Sequence, residues 1–316
     1  MTIHMQTFTF HCRFTTDARL PGYLGSTLRG AMGWSLKRTT CALRRQQCAG
    51  CLLRQQCVYA WIFETEQYRD TGGRTINARP HPFVLQPGGC RENMQPGESI
   101  SFSLLLLDRA VEMLPHLVYA VRIMGESGIG SGRRQGLGRF ALQQVTTDGQ
   151  TIYSADTETL ASCPEPSCIG LGKKTGCGPS LLKVYLLTPL RFKQGNRMKT
   201  DLPFHNLVRV CLRRIAALEE AYGDGEPDLD YLGLVEQARQ VEVQDSSIRW
   251  QKLYRWSNRQ RQNTSLSGLA GSITYSGELG EFLPILRYGE QVNIGKQTVF
   301  GLGKIAIKPR KEEGAS

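Results

Sequence analysis

At 316 residues the chain is long enough for two domains of about 150 residues each, and 40% hydrophobic with 8% aromatic residues is an ordinary globular composition. Its 39 Lys+Arg against 28 Asp+Glu leave a formal charge of +11. That surplus points to a polyanionic partner, nucleic acid ahead of anionic lipid, with solubility alone as the bland alternative. No apolar run, Leu104 to Leu107 included, approaches the ~20 residues a membrane span needs, and no signal peptide opens the chain. The expectation is a cytoplasmic protein with no membrane partner, whose 10 cysteines are kept reduced.

From Met5 to Phe14 the chain alternates, with Phe8, Phe10, Cys12 and Phe14 on one face, as in a half-buried strand. A helical stretch from about Tyr23 to Lys37 follows. Next come Cys41, Cys48, Cys51 and Cys57, spaced C-x6-C-x2-C-x5-C and flanked by Lys37, Arg38, Arg44, Arg45 and Arg54. Four thiolates satisfy tetrahedral zinc and close its coordination shell, so a structural Zn2+ in an insertion at about 38–60 is expected. Four unrelated thiols and an iron–sulfur cluster are the alternatives.

A strand at Ile100–Leu107, a helix near Val111–Met124, a glycine-rich loop and a strand at Arg139–Val145 complete the first half. Ser154 to Pro179, rich in Gly, Pro and Ser, reads as a linker whose Cys163, Cys168 and Cys177 are free thiols. The second half opens with a strand at Leu181–Leu190. A helix at about Leu202–Tyr222 then places Leu207, Val208, Cys211, Leu212, Ile215 and Leu218 on one stripe. Strands at Ile248–Trp256 and Ser272–Gly277 and a helix near Leu279–Leu286 lead to a second glycine loop.

The two glycine loops match at a constant offset of 165 residues, Ile129 against Ile294 and Gly136-Leu137-Gly138 against Gly301-Leu302-Gly303. Matched spacing and shared flanks indicate duplication. The order of elements in each half then predicts an α+β fold of tandem ferredoxin-like (RRM-like) domains, 1–155 and 180–316, joined by a linker at 156–179.

Two features point to nucleic acid. The segment Arg249-Trp250-Gln251-Lys252-Leu253-Tyr254-Arg255-Trp256-Ser257-Asn258-Arg259-Gln260-Arg261 interleaves cations for phosphates with aromatic rings for unpaired bases. As one strand it would put Trp250, Lys252, Tyr254 and Trp256 on a single face; that face could equally pack as core. The glycine loops let backbone N–H groups approach phosphate, with Arg133, Arg134, Lys296 and Lys304 beside them. No helix follows Gly138 and no Walker Gly-Lys-Ser/Thr is present, so a nucleotide cofactor is not expected.

Leu20-Pro21-Gly22-Tyr23-Leu24-Gly25-Ser26-Thr27-Leu28-Arg29-Gly30-Ala31 before a four-cysteine insertion resembles the CRISPR RAMP family of pre-crRNA processing endoribonucleases, the Cas six family. So do Arg255-Trp256-Ser257-Asn258-Arg259-Gln260 and Gly295 to Lys304. The resemblance implies a protein that binds CRISPR repeat RNA and cuts it without metal, by attack of the 2′-hydroxyl, leaving 2′,3′-cyclic phosphate and 5′-hydroxyl ends. Tyr23, Arg29 and Lys296 match family motif positions and would position or polarise the scissile phosphate. The chain departs from the family at Asn293, where relatives carry a histidine; Asn293 is assigned to RNA orientation. Of the five histidines, His205 at the start of the arginine-bearing helix is the candidate acid or base. The expected RNA contacts are Arg133, Arg134, Arg249, Trp250, Arg255, Trp256, Arg259, Arg261, Asn293 and Lys304. The missing histidine leaves open a second reading, a non-cleaving RNA-binding subunit among other Cas proteins of an effector complex. A zinc-finger-like DNA-binding regulator is a third, for which no recognition helix is visible.

Overall fold

The computed structural model describes residues 3–43, 47–65, 79–172, 178–195, 197–257 and 262–310. The chain divides into two compact units, one on His4–Cys168 and one on Ile169–Ser316 together with Met1–Ile3.

In the N-terminal unit the elements run β1 (Ile3–Phe14), α1 (Gly25–Thr40), α2 (Val58–Phe63), β2 (Phe83–Pro87), β3 (Ser99–Leu107), α3 (Leu114–Ser127), β4 (Phe140–Thr147) and β5 (Gln150–Ser154). The antiparallel sheet has the order β2-β3-β1-β4-β5. Its first four strands, with α1 and α3 as the two crossovers, are a ferredoxin-like βαββαβ unit. Alternation in β1 has the expected consequence: Phe8, Phe10, Cys12 and Phe14 are at most 1% exposed. Phe10 stacks on Phe102 of β3 at 5.1 Å, and Phe14 meets Phe140 of β4 edge-on at 6.2 Å. Pro at the first turn of α3 costs no hydrogen bond, since the N–H it lacks has no partner within the helix.

The C-terminal unit repeats the plan: β6 (Leu181–Leu190), α4 (Phe204–Tyr222), α5 (Tyr231–Gln237), β7 (Glu242–Ser246), β8 (Arg249–Gln251), β9 (Tyr254–Ser257), β10 (Gln262–Ser265), β11 (Gly268–Ser276), α6 (Leu283–Val292) and β12 (Ile305–Arg310). The sheet order is β7-β11-β6-β12, again antiparallel, with β8 also pairing β11. The predicted α4 stripe is buried throughout. Phe204 packs on Tyr275 of β11 and on Phe282, and the Tyr275 hydroxyl donates to the Leu202 carbonyl at 2.7 Å.

Two expectations change. The segment after Ser154 is not a free tether, because Ser167–Ile169 forms a short strand against β1, and Gln6 donates to the Pro164 carbonyl. The predicted strand at Ile248–Trp256 is broken at Lys252-Leu253 into β8 on the sheet and β9 in a separate ribbon with β10. Ser267 holds that break, its Oγ bridging the backbone N–H and carbonyl of Leu253. Trp250 and Tyr254 therefore do not share one strand face. Among the described residues no helix is long and apolar enough to cross a membrane.

Candidate nucleic-acid interface

The duplicated loops are alike at the level of single hydrogen bonds. In the N-terminal unit the Ile129 N–H donates to the Gly138 carbonyl at 2.9 Å, Ser131 N–H to Arg19 at 2.9 Å and Gly138 N–H to Asp17 at 2.7 Å. In the C-terminal unit Ile294 N–H donates to Gly303 at 2.9 Å, Lys296 N–H to Arg191 at 2.8 Å and Gly303 N–H to Pro189 at 3.1 Å. Each loop thus closes on itself and is pinned to the end of its unit's first strand or to the segment just after it. A short 3-10 turn, Arg133–Gln135 in one and Thr298–Phe300 in the other, forms the tip. Gly138 and Gly303 have φ of 73–76°, and a Cβ on either would overlap the carbonyl oxygen of Ile129 or Ile294. Only glycine fits there.

Around the second loop the structure gathers several of the predicted residues. The Arg255 guanidinium lies 4.6 Å from the Phe300 ring centroid, joining ribbon β9–β10 to the loop tip. Arg191 makes a second link: its carbonyl accepts from Lys296, and its Nη1 donates to the Ser265 carbonyl at 2.6 Å. Burial pushes both the Arg191 and the Arg255 guanidinium below the ordinary arginine range. These two arginines build the surface, while Lys296, Arg249, Lys252 and Tyr254 stand exposed on it, Tyr254 at 62%. Trp250 is 38% exposed. Lys304 is half-buried, and its backbone N–H takes the Thr188 hydroxyl as acceptor. Trp256 lies in β9. Arg259 and Arg261 fall outside the described residues.

Asn293 differs from its expected role. It is fully buried, at a positive φ of 55° with ψ 152°, and its Nδ2 donates to the Leu302 carbonyl at 3.1 Å. It fastens the start of the loop to its end and has no surface to offer RNA. Just before it, Arg214 of α4 donates to the Val292 carbonyl at 3.3 Å. Burial lowers the pKa of Arg214 to about 10, so it stays charged at neutral pH.

In the N-terminal unit Arg133 and Arg134 are exposed on the loop tip, with Arg13, Arg19 and Arg139 exposed nearby in the chain segments that hold the loop. Tyr23, just ahead of α1, is half-buried, and desolvation raises its pKa. Arg29 of α1 lies 5.4 Å from the Phe63 ring centroid, with Nη2 3.3 Å from Nε2 of His81. His81 Nδ1 is 2.9 Å from the Ile62 carbonyl. A carbonyl only accepts and a guanidinium only donates, so the neutral imidazole carries its proton on Nδ1 and its Nε2 accepts from Arg29. Sequence reasoning missed this pairing, because Arg29 and His81 lie 52 positions apart and no local spacing connects them.

His205 opens α4, and its pKa is lowered by desolvation and by the cations Arg239 and Arg209, with Asp201 and Glu236 opposing. Desolvation and these cations favour its neutral form. The four insertion cysteines are free thiols. Cys41, Cys51 and Cys57 line one cavity, while Cys48 takes a hydrogen bond from Lys37. Among the described residues no group of three or more His, Cys, Asp or Glu side chains is gathered closely enough to hold a metal ion as it stands.

One family model, the AF_1859 N-terminal domain, matches residues 3–165, and a second, the CRISPR-associated endoribonuclease Cas6, matches residues 184–305. The second span takes in the arginine ribbon and the whole glycine loop. Residues 184–305 belong to the Cas6 family. Among solved structures it is similar to a Cas6 product complex, at 15% identity over 96% of this chain and 99% of that one, TM-score 0.56. It is also similar to Thermus thermophilus Cas6, at 14% identity over 98% and 100%, TM-score 0.54. A partial Cas6-RT-Cas1–Cas2 complex matches at 14% identity and TM-score 0.56 over 99% of this chain, which spans 47% of that longer chain. At such identities the likeness speaks for the fold, and it covers both ferredoxin-like units. No curated protein matches the chain.

Proposed function

We propose that this chain binds CRISPR repeat RNA and cuts it without a metal ion. The observation that carries the reading is the junction of the glycine loop with the arginine ribbon through Arg255 and Phe300. It makes one cationic surface with a protruding aromatic ring, suited to a ribose-phosphate chain with unpaired bases. One of the proteins it resembles in fold was solved as a Cas6 product complex, which supports RNA as the partner.

In this reaction the 2′-oxygen bonds to phosphorus as the bond from phosphorus to the 5′-oxygen breaks. The 2′-hydroxyl loses its proton to a base, and the departing 5′-oxygen gains one from an acid. His205, held neutral, is suited to accept the first proton, and His81 Nε2 is a second candidate with a fixed tautomer. Tyr23, Arg29 and Lys296 are assigned to the phosphate, whose developing charge a cation or hydroxyl would stabilise.

Pure protein incubated with its cognate repeat RNA in EDTA should yield one cut with 2′,3′-cyclic phosphate and 5′-hydroxyl ends. Replacing the 2′-hydroxyl at that position by hydrogen should abolish it. Cleavage of the deoxy substrate would rule the mechanism out. A second reading, a non-cleaving RNA-binding subunit, is favoured by one observation: the residue ahead of the loop is a buried asparagine, which cannot exchange protons. Tight repeat binding with RNA intact after long incubation would select it.

A further inference from the structure

The segment from Cys41 to Cys57 has no apolar interior. Among its described residues the four cysteines and Arg54 are the only ones that are not exposed; Leu43, Leu52 and Leu53 all face solvent, Leu52 at 87%. The thiols are therefore the inside of the insertion. Two three-residue turns make up its regular structure, Cys48–Gly50 and Arg54–Gln56. Such turns have no stability of their own, and a segment of this size without a core needs a cross-link or a metal to be ordered.

The cysteines are placed at the element ends, where the backbone can present them. Cys41 follows the last turn of α1, with its N–H on the Lys37 carbonyl at 3.0 Å. Cys51 closes the first short turn, with its N–H on the Cys48 carbonyl at 3.3 Å; Cys57 closes the second and starts α2. Cys41, Cys51 and Cys57 line one cavity of about 460 Å³, and Cys48 is joined to Cys51 by its turn. Cys41, Cys51 and Cys57 share that space, although the described residues as they stand form no group close enough to hold a metal ion. Positive charge is at hand: the Lys37 ammonium hydrogen-bonds Cys48 and lies 5.2 Å from the Tyr59 ring centroid. Arg54 reaches the carbonyls of Ala49 and Glu64, at 3.5 and 3.2 Å. A four-thiolate zinc centre carries two net negative charges, which these cations would offset.

We propose that Cys41, Cys48, Cys51 and Cys57 bind one Zn2+ as a closed tetrahedral centre that replaces the missing core of the insertion and clamps the end of α1 to the start of α2. The centre has no open position and takes no part in chemistry on a substrate, so the assignment stands apart from any reading of RNA cleavage.

The full chain, purified without added chelator, should contain one equivalent of zinc by elemental analysis. A mercurial thiol reagent should release that equivalent to a colorimetric indicator. Each of Cys41→Ser, Cys48→Ser, Cys51→Ser and Cys57→Ser should lower the zinc content at least several-fold and open the 41–57 segment to limited proteolysis. Cys90→Ser, a half-buried thiol of the same unit outside the insertion, should keep the full equivalent. Should a serine variant fail to fold, the zinc content and mercurial release of the wild-type chain still decide. Zinc-free protein after refolding with zinc present would overturn the proposal. So would visible absorbance with acid-labile sulfide, which means an iron–sulfur cluster. Retention of zinc by Cys48→Ser with its loss in His116→Ala would overturn the four-thiolate set, because His116 lines the same cavity.

Discussion

The guanidinium of Arg255 lies 4.6 Å from the ring centroid of Phe300, so a ribbon that sits off the main sheet is tied to the tip of the glycine loop by a cation over an aromatic face. Such contacts contribute about 0.5–2 kcal/mol, most when desolvated, and burial has already pushed the Arg255 pKa down. Phe300→Leu keeps an apolar residue and removes the ring. It should weaken binding of repeat RNA roughly three- to ten-fold, as the ribbon loses its fixed position. A double-mutant cycle with Arg255→Met, read by equilibrium binding, checks this; additive effects would mean that the pair does not couple ribbon to loop.

Asn293 should behave as a structural fastener. Asn293→Ala removes the donor to the Leu302 carbonyl from the buried start of the loop. The expected loss is roughly 1–3 kcal/mol of unfolding free energy, measured by urea denaturation with the slope unchanged. A variant of full stability that only loses RNA affinity would return Asn293 to the role of a direct contact.

Most of the fold was legible because its two periodicities are clean. β6 was predicted at Leu181–Leu190 and is found there, and the α4 stripe from Leu207 to Leu218 is buried as drawn. The offset between the loops foretold matching backbone hydrogen bonds. Other elements gave no such signal. β7, Glu242–Ser246, is exposed at every position, so no apolar alternation marked it. β2 carries three consecutive buried residues, Phe83, Val84 and Leu85, followed by Pro87, a pattern too short to separate from a loop. The break at Leu253 depends on Ser267, 14 residues on. For the same reason Trp250 and Tyr254 fall on separate strands and not on one face. The burial of Asn293 and the partnership of Arg29 with His81 are tertiary facts; the sequence offered only residue types.

The paired loops give a comparison within one molecule. Gly138 and Gly303 each combine positive φ with a carbonyl that a Cβ would strike, whereas Gly136 has φ 83° and open space around it. Gly136→Ala should cost about 1 kcal/mol, the conformational term alone. Gly138→Ala and Gly303→Ala should each cost more than roughly 2 kcal/mol, since backbone must move. Thermal unfolding of the three variants tests the order. Equal shifts would show that the close approach of Ile129 and Ile294 carries no energetic weight.

The last expectation concerns acid and has a definite sign. His205 has a pKa below the ordinary 6.5, through desolvation first and the charges of Arg239 and Arg209 next. A group whose folded pKa is depressed binds fewer protons folded than unfolded, so its contribution to stability is full above 6.5 and is lost as pH falls through the lower folded value. As a catalytic base it would likewise remain unprotonated to lower pH, and the acid limb of the single-turnover rate should fall off below 6.5. His205→Asn should slow cleavage by roughly 100-fold or more, within the span set for general base catalysis, while leaving affinity for uncleavable 2′-deoxy repeat RNA within about three-fold, equivalent to less than 1 kcal/mol. Removing either Arg209 or Arg239 should move the acid limb upward, because a cation that opposed protonation is gone. If His205→Asn cleaves at the wild-type rate and His81→Asn does not, the base is His81 Nε2. The acid limb should then be indifferent to Arg209 and Arg239 and should respond to Arg29→Met, the cation beside Nε2.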